Sequence, residues 1–116
     1  MNNIILYNPR CTKSRQTLKL TEDNNLALEV IEYLKTPPTV EQLDDICNKL
    51  GVEPTEIIRT KEKLFTELRL SLSDKKSRIE WLKILSEKPK LIERPIVIYK
   101  GKAVIGRPPE KVLEII

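Results

Sequence analysis

Cys11 lies in Tyr7-Asn8-Pro9-Arg10-Cys11-Thr12-Lys13-Ser14-Arg15, where a short apolar run, Ile4-Ile5-Leu6-Tyr7, gives way to a helical pattern. The run is too short for a helix and rich in β-branched residues, so it reads as a buried strand. Pro9 donates no ladder hydrogen bond and ends it. From Thr12 onward the pattern predicts a helix, with Leu18 and Leu20 among polar residues. A thiol on such a turn meets the unpaired N–H groups and positive dipole end of the helix, which stabilise a thiolate. The same amides can hold an oxyanion. Free cysteine is often only a small buried hydrophobe. Here Arg10, Lys13 and Arg15 crowd positive charge near the sulfur, which lowers a thiol pKa and favours a reactive Cys11.

The rest of the composition narrows the chemistry. Histidine is absent and the second cysteine, Cys47, is far away in sequence. A structural zinc site, normally built from four Cys or His ligands, is therefore not expected, and cysteine–histidine or serine–histidine catalysis is excluded. Cys47 falls on the apolar side of a helical pattern with Leu43, Ile46 and Leu50, and reads as core. The 116 residues suit one domain, and the net charge of +4 is spread in both signs. The basic clusters Lys61/Lys63, Lys75/Lys76/Arg78 and Lys88/Lys90 are interleaved with acids, which describes solvated helix faces rather than a nucleic-acid footprint. A small anion is the better match for a positive pocket. No run approaches the roughly 20 apolar residues of a membrane span. The N-terminus lacks the basic and apolar regions of a signal peptide, so a cytoplasmic protein is expected. A monomer is expected as well.

The positioning elements follow from the pattern. Leu26–Ile31 predicts a second strand, and strand–helix–strand at this spacing is a βαβ unit with a parallel pair. Thr36-Pro37-Pro38 breaks the chain. Thr39 with Gln42 forms a capping box for a helix through Leu43, Ile46, Cys47 and Leu50, stopped by Gly51. A helical turn over Pro54–Arg59, a helix over Lys61–Leu70 and a third starting at an N-cap Ser73 follow. The third carries Ile79, Trp81, Leu82 and Leu85 toward the core. Ile96-Val97-Ile98-Tyr99, the turn Lys100-Gly101 and Lys102–Ile105 form a β-hairpin. Gly106-Arg107-Pro108-Pro109 opens a last helix over Glu110–Ile115. The order βαβα, helical block, ββα is the thioredoxin-like plan: an α/β fold with a mixed four-stranded sheet. The block, roughly residues 39–90, is inserted between the second and third strands of a single domain spanning 1–116. That plan puts a reactive cysteine after the first strand and a cis-proline just before the third. Pro95 occupies the second slot.

Three arginines stand at element ends: Arg59 after Ile57-Ile58, Arg94 before Pro95, and Arg107 between Gly106 and Pro108. Guanidinium groups grip tetrahedral oxyanions through paired N–H donors. Any one alone reads as a surface arginine; three at element ends, with Cys11, read as an anion site.

Four segments together, Tyr7–Arg15, Ile58-Arg59-Thr60, Glu93-Arg94-Pro95-Ile96 and Ile105-Gly106-Arg107-Pro108, resemble the ArsC-type, glutaredoxin-coupled arsenate reductases. The likeness includes their YfgD-like branch and the related Spx regulators, and it covers essentially the whole chain. The resemblance implies that Cys11 attacks arsenate and that Arg59, Arg94 and Arg107 bind the oxyanion and its thiol adduct. Asn8, Arg10, Ser14, Arg15 and Pro95 support them. It implies no bound cofactor and no metal. Glutathione serves as co-substrate and glutaredoxin as partner. Tyr7 stands where some members carry a histidine thought to lower the thiol pKa, and a tyrosine cannot do that as a cation. Ser14 makes the motif C-x-x-S, where the Spx-type regulators commonly use C-x-x-C as a redox switch, so the oxidised cysteine needs an external thiol. Two other readings stay open: an Spx-like, redox-responsive regulator that binds RNA polymerase, and a reductase of another small oxyanion or thiol substrate.

Overall fold

The computed structural model describes residues 2–116. Four strands form one mixed sheet: β1 (Ile4–Tyr7), β2 (Glu29–Glu32), β3 (Ile96–Tyr99) and β4 (Lys102–Ile105), in the order β2-β1-β3-β4. β1 pairs parallel with β2 and antiparallel with β3, and β3 pairs antiparallel with β4. This is the sheet that the βαβ and hairpin patterns predict. Consecutive strand residues face opposite ways. Ile4, Ile5, Leu6, Ile96, Val97 and Ile98 are all buried, so both faces of β1 and β3 are covered. The hairpin turn has φ 49° at Lys100 and 79° at Gly101, the two positive values a type I′ turn needs.

The chain divides into two compact units. One comprises the residues up to Thr36 together with Arg94–Ile116, and the other is Pro37–Glu93. The first holds the sheet, helix α1 (Thr12–Asp23) and a 3₁₀ segment, Pro109–Ile115, that packs against α1 and β4. Its cluster of Ile5, Val97, Val104 and Val112 is fully buried or nearly so. The buried stripe of α1 is made of hydroxyls: Ser14, Thr17 and Thr21 have no exposure, while Leu18 and Leu20 are only partly buried.

The second unit holds α2 (Val40–Leu50), α3 (Lys63–Glu67), α4 (Arg78–Glu87) and 3₁₀ turns at Pro54–Ile57 and Pro89–Leu91. The capping box of Thr39 and Gln42 is formed, and Gly51 closes α2 at φ 70°. Leu43, Ile46 and Cys47 of α2 are buried, as are Trp81, Leu82 and Leu85 of α4, which packs on α2. Arg78 reaches back from α4 to Asp44 at 2.8 Å, Asn48 at 3.0 Å and Glu53 at 3.2 Å.

Local competition moved several boundaries. β2 begins at Glu29, not Leu26, because the Leu26 N–H bonds back to the Thr21 carbonyl and Asn25 takes a left-handed φ of 60°. α3 is confined to Lys63–Glu67, ended by a left-handed Arg69. α4 is capped by Ser77, not Ser73: Ser73 is held in a turn in which Asp74 Oδ2 accepts from Ser71 N–H. Ile79 lies off the buried stripe of α4 and is 51% exposed, so it is not core. The last segment is 3₁₀ rather than α-helical.

An N-cap side chain satisfies an otherwise orphaned helix N–H, and its loss costs about 1 kcal/mol. Ser77→Ala should therefore lower the denaturant midpoint by an amount equivalent to about 1 kcal/mol, and Ser73→Ala by a few tenths at most. Equal losses in urea unfolding would return the cap to Ser73.

Candidate active site

Cys11 is the N-cap residue of α1, with extended backbone (φ −94°, ψ 121°). Its own N–H donates to the Asn8 carbonyl at 2.9 Å, closing the turn that leads out of β1. The side chain of Asn8 folds back to accept from Arg10 N–H at 3.0 Å. One turn into the helix, Ser14 is fully buried beneath this loop, and its Oγ accepts from Asn8 N–H at 3.3 Å. A hydroxyl that accepts one bond still has its proton to give. That proton, with the Ser14 backbone N–H, favours the charged form of Cys11 and lowers its pKa.

One arginine reaches the sulfur from the other end of the unit, and a second, Arg94, acts on it through its charge. The Arg107 Nη1 lies 3.8 Å from Cys11 Sγ and also donates to the Arg94 carbonyl at 2.9 Å. Arg107 follows Gly106, whose N–H donates to the Pro95 carbonyl and whose own carbonyl faces the Thr17 hydroxyl at 3.4 Å. A β-carbon at Gly106 would meet Thr17 Oγ1 at 2.5 Å and Pro95 Cγ at 2.9 Å, so only glycine fits. The Arg94–Pro95 peptide is cis, as the fold plan predicts; Arg107–Pro108 is cis as well, which no residue pattern indicated.

The electrostatics follow from these neighbours. Burial pushes the Cys11 thiol up, but hydrogen bonds from the Ser14 backbone and hydroxyl, the charge of Arg94 and the Arg107 contact more than offset it. The result is a pKa of about 7, below the ordinary 9.0. Cys47 goes the other way: burial, only partly opposed by Arg78, pushes its thiol to about 11. The nearby basic residues read from sequence are not what holds the Cys11 thiolate. Arg15 is spent on the Pro9 carbonyl at 2.8 Å and the Thr12 hydroxyl at 3.3 Å, and Arg10 is exposed. Ser14, noted in the sequence chiefly for not being a cysteine, is the direct donor. Its i+3 spacing from Cys11 was the signal that could have found it.

Arg59 belongs to the other unit. There its Nη1 pairs with Glu62 at 3.2 Å and lies 3.3 Å from the Lys90 carbonyl. Among the described residues no group of three or more His, Cys, Asp or Glu is placed to hold a metal ion, and no helix is long and apolar enough to cross a membrane.

A thiol of lowered pKa after β1, a cis-proline before β3 and an arginine after β4 agree with the match of the ArsC family model to residues 6–115. The chain belongs to the ArsC family. It is 47% identical over 113 residues to the uncharacterized protein YfgD of Escherichia coli K12, covering 97% of this chain and 94% of that protein. It is 45% identical over 117 residues to the arsenate reductase of Haemophilus influenzae, covering the whole of both. The solved arsenate reductase from Vibrio cholerae superposes with a TM-score of 0.93 at 47% identity, covering 100% of this chain and 98% of that one.

Within this ArsC-family site, Ser14 is the residue whose removal should be read most directly in the thiol. Ser14→Ala removes a donor to the charged form and so raises the Cys11 pKa above about 7. Iodoacetamide alkylation of Cys11 followed against pH should show its midpoint displaced upward. An unmoved midpoint would assign the thiolate to the backbone N–H of residue 14 and the arginines, without the hydroxyl.

The same shift has a stability sign. Cys11 has a lower pKa folded (about 7) than unfolded (9.0), so its contribution is present above pH 9 and is lost as pH falls through 7. Between pH 7 and 9 wild type should gain stability relative to Cys11→Ser, measured by urea unfolding at fixed ionic strength. A gap that stays level over that range would mean the thiol is not depressed.

Proposed function

We propose that this ArsC-family protein is a glutathione- and glutaredoxin-dependent arsenate reductase. The observation that carries the reading is the Cys11 thiol, held near neutral pKa with the Arg107 guanidinium 3.8 Å from its sulfur. A thiolate is the nucleophile in thiol chemistry, and one with pKa near ambient pH is best suited to attack. Full-length relatives named arsenate reductase supply the substrate class.

In this reading the Cys11 thiolate attacks the arsenic of bound arsenate and expels a protonated oxygen as water, leaving a sulfur–arsenic(V) adduct. Arg107 and Arg94 neutralise the oxyanion as it forms. Glutathione thiolate then attacks Cys11 Sγ. The sulfur–arsenic electron pair goes to arsenic, which leaves as arsenite, and a mixed disulfide remains. A glutaredoxin thiolate attacks the glutathione sulfur and restores the Cys11 thiolate. Arg59 is assigned to the oxyanion by the family resemblance. Asn8 acts by seating Ser14, and Ser14 by holding the thiolate. With C-x-x-S in place of C-x-x-C, resolution from outside is required, and buried Cys47 has no part in it.

Cys11→Ser should abolish arsenate reduction in an assay coupled to NADPH through glutathione and glutaredoxin, with the melting curve retained. Sulfate, a tetrahedral stand-in, should raise the melting temperature by mass action. That rise should shrink in Arg94→Ala, Arg107→Ala and Arg59→Ala, and also in Arg107→Lys, which loses the paired donors. Undiminished turnover by Cys11→Ser would sink the reaction; an unchanged sulfate response in Arg94→Ala and Arg107→Ala would move the anion site elsewhere.

A further inference from the structure

Helix α1 meets the active site at two levels. Cys11 caps it, and Ser14 lies beside the sulfur. One turn deeper on the same buried stripe stands Thr17, with no exposure. A helical threonine commonly turns its hydroxyl back to a carbonyl of its own helix. Thr21 does so, donating to the Leu18 carbonyl at 2.7 Å. The Thr17 hydroxyl instead donates to the Gly106 carbonyl at 3.4 Å, across to the turn after β4. The reaction above gives this hydroxyl no part.

The Gly106 carbonyl is half of the peptide that joins Gly106 to Arg107. The other half, the Arg107 N–H, donates to the Ile105 carbonyl at 2.9 Å, and the Gly106 N–H donates to the Pro95 carbonyl at 2.9 Å. Thr17 holds the edge of this turn that faces α1. The contact is close as well as polar: a β-carbon on Gly106 would lie 2.5 Å from Thr17 Oγ1 and 3.0 Å from Thr17 Cγ2. A peptide is planar, so fixing its plane fixes the direction in which the next side chain leaves. Arg107 leaves this one toward the sulfur, its Nη1 3.8 Å from Cys11 Sγ and steadied by the Arg94 carbonyl at 2.9 Å. Cys11 and Thr17 ride on one helix. The bond to Gly106 therefore ties the spacing of guanidinium and sulfur to α1.

We propose that Thr17 is a positioning residue for Arg107: its hydroxyl holds the Gly106–Arg107 peptide so that the guanidinium stays at Cys11 Sγ and faces the anion bound there. The anion half of this role rests on the reductase reading above; the sulfur half does not. Thr17 acts through Arg107, so its effect on the thiol should vanish when Arg107 is gone.

Three variants and one double variant test this. Thr17→Val keeps the shape and sets a methyl against the Gly106 carbonyl. Thr17→Ala removes the donor without that methyl, and Thr17→Ser retains the donor. The readout is the pH midpoint of Cys11 alkylation, resolved from Cys47 by mass spectrometry. Arg107 favours the charged thiol, so Thr17→Val and Thr17→Ala should move the midpoint upward, by no more than Arg107→Ala does, and Thr17→Ser should restore it. In the Arg107→Ala background, Thr17→Val should add nothing. In the coupled assay, Thr17→Val should lower kcat/KM for arsenate about fivefold, the worth of one net hydrogen bond. An unmoved midpoint in both Thr17→Val and Thr17→Ala overturns the proposal. So does an equal rise in the Arg107→Ala background, which would mean that Thr17 acts through α1 itself. If wild type reduces no arsenate while the midpoints follow the expected pattern, the reductase reading fails and the positioning role stands. If arsenate is reduced and the midpoints do not move, the positioning role fails and the reductase reading stands.

Discussion

A thiol only 8% exposed that ionises near neutral pH is a demanding arrangement, because burial by itself disfavours the charged form. Everything around Cys11 answers that demand. Ser14 gives a hydrogen bond from its backbone and another from its hydroxyl, and both strengthen as the sulfur becomes negative. The hydroxyl can do this because Asn8 N–H occupies its acceptor side and fixes its direction. Arg94 and Arg107 add full charges where solvent screening is reduced. Cys47, also buried but with no comparable donors, is driven the opposite way. Identical side chains thus take opposite pKa shifts, one to about 7 and the other to about 11, through their partners alone.

Placing Arg107 at the sulfur is a backbone problem, solved by close approach. The chain leaving β4 crosses against α1 and the proline before β3, with Gly106 wedged between Thr17 and Pro95. A larger residue would force the turn outward and take Arg107 with it. Thr17 has to be buried and small for the same reason. This explains why Ser14 and Thr17 on the inner stripe of α1 are not leucine: their neighbours are the Cys11 sulfur and a turn's backbone, both of which need hydrogen bonds, not apolar surface, whereas the Thr21 hydroxyl donates to the Leu18 carbonyl of its own helix at 2.7 Å.

The Pro37–Glu93 unit follows ordinary helical rules. Two capping boxes start α2 and α4, an apolar stripe on each joins them, and Arg78 ties the beginning of α4 to acids and an amide near the end of α2. Trp81 is buried in that stripe, with Lys76 5.7 Å from its ring centre, so its role is packing.

Much was legible in the order of residues. The four strands, the strand–turn–helix around Cys11, the Thr39–Gln42 cap, the hairpin at Lys100-Gly101 and the core position of Cys47 all follow from local rules of propensity, capping and periodicity, which act over a few residues. The family could be read from four short segments, and the family model matches residues 6–115. Boundaries such as Ser77 for Ser73 were not legible, since two serines offer equal caps until a neighbouring aspartate claims one turn. Nor was the source of the thiolate: Arg10, Lys13 and Arg15 are near Cys11 in sequence, yet the largest opposing contributions come from Ser14, Arg94 and Arg107. Charge and hydrogen bonding act through space over a few ångströms, and only the folded chain brings residue 107 within 3.8 Å of residue 11.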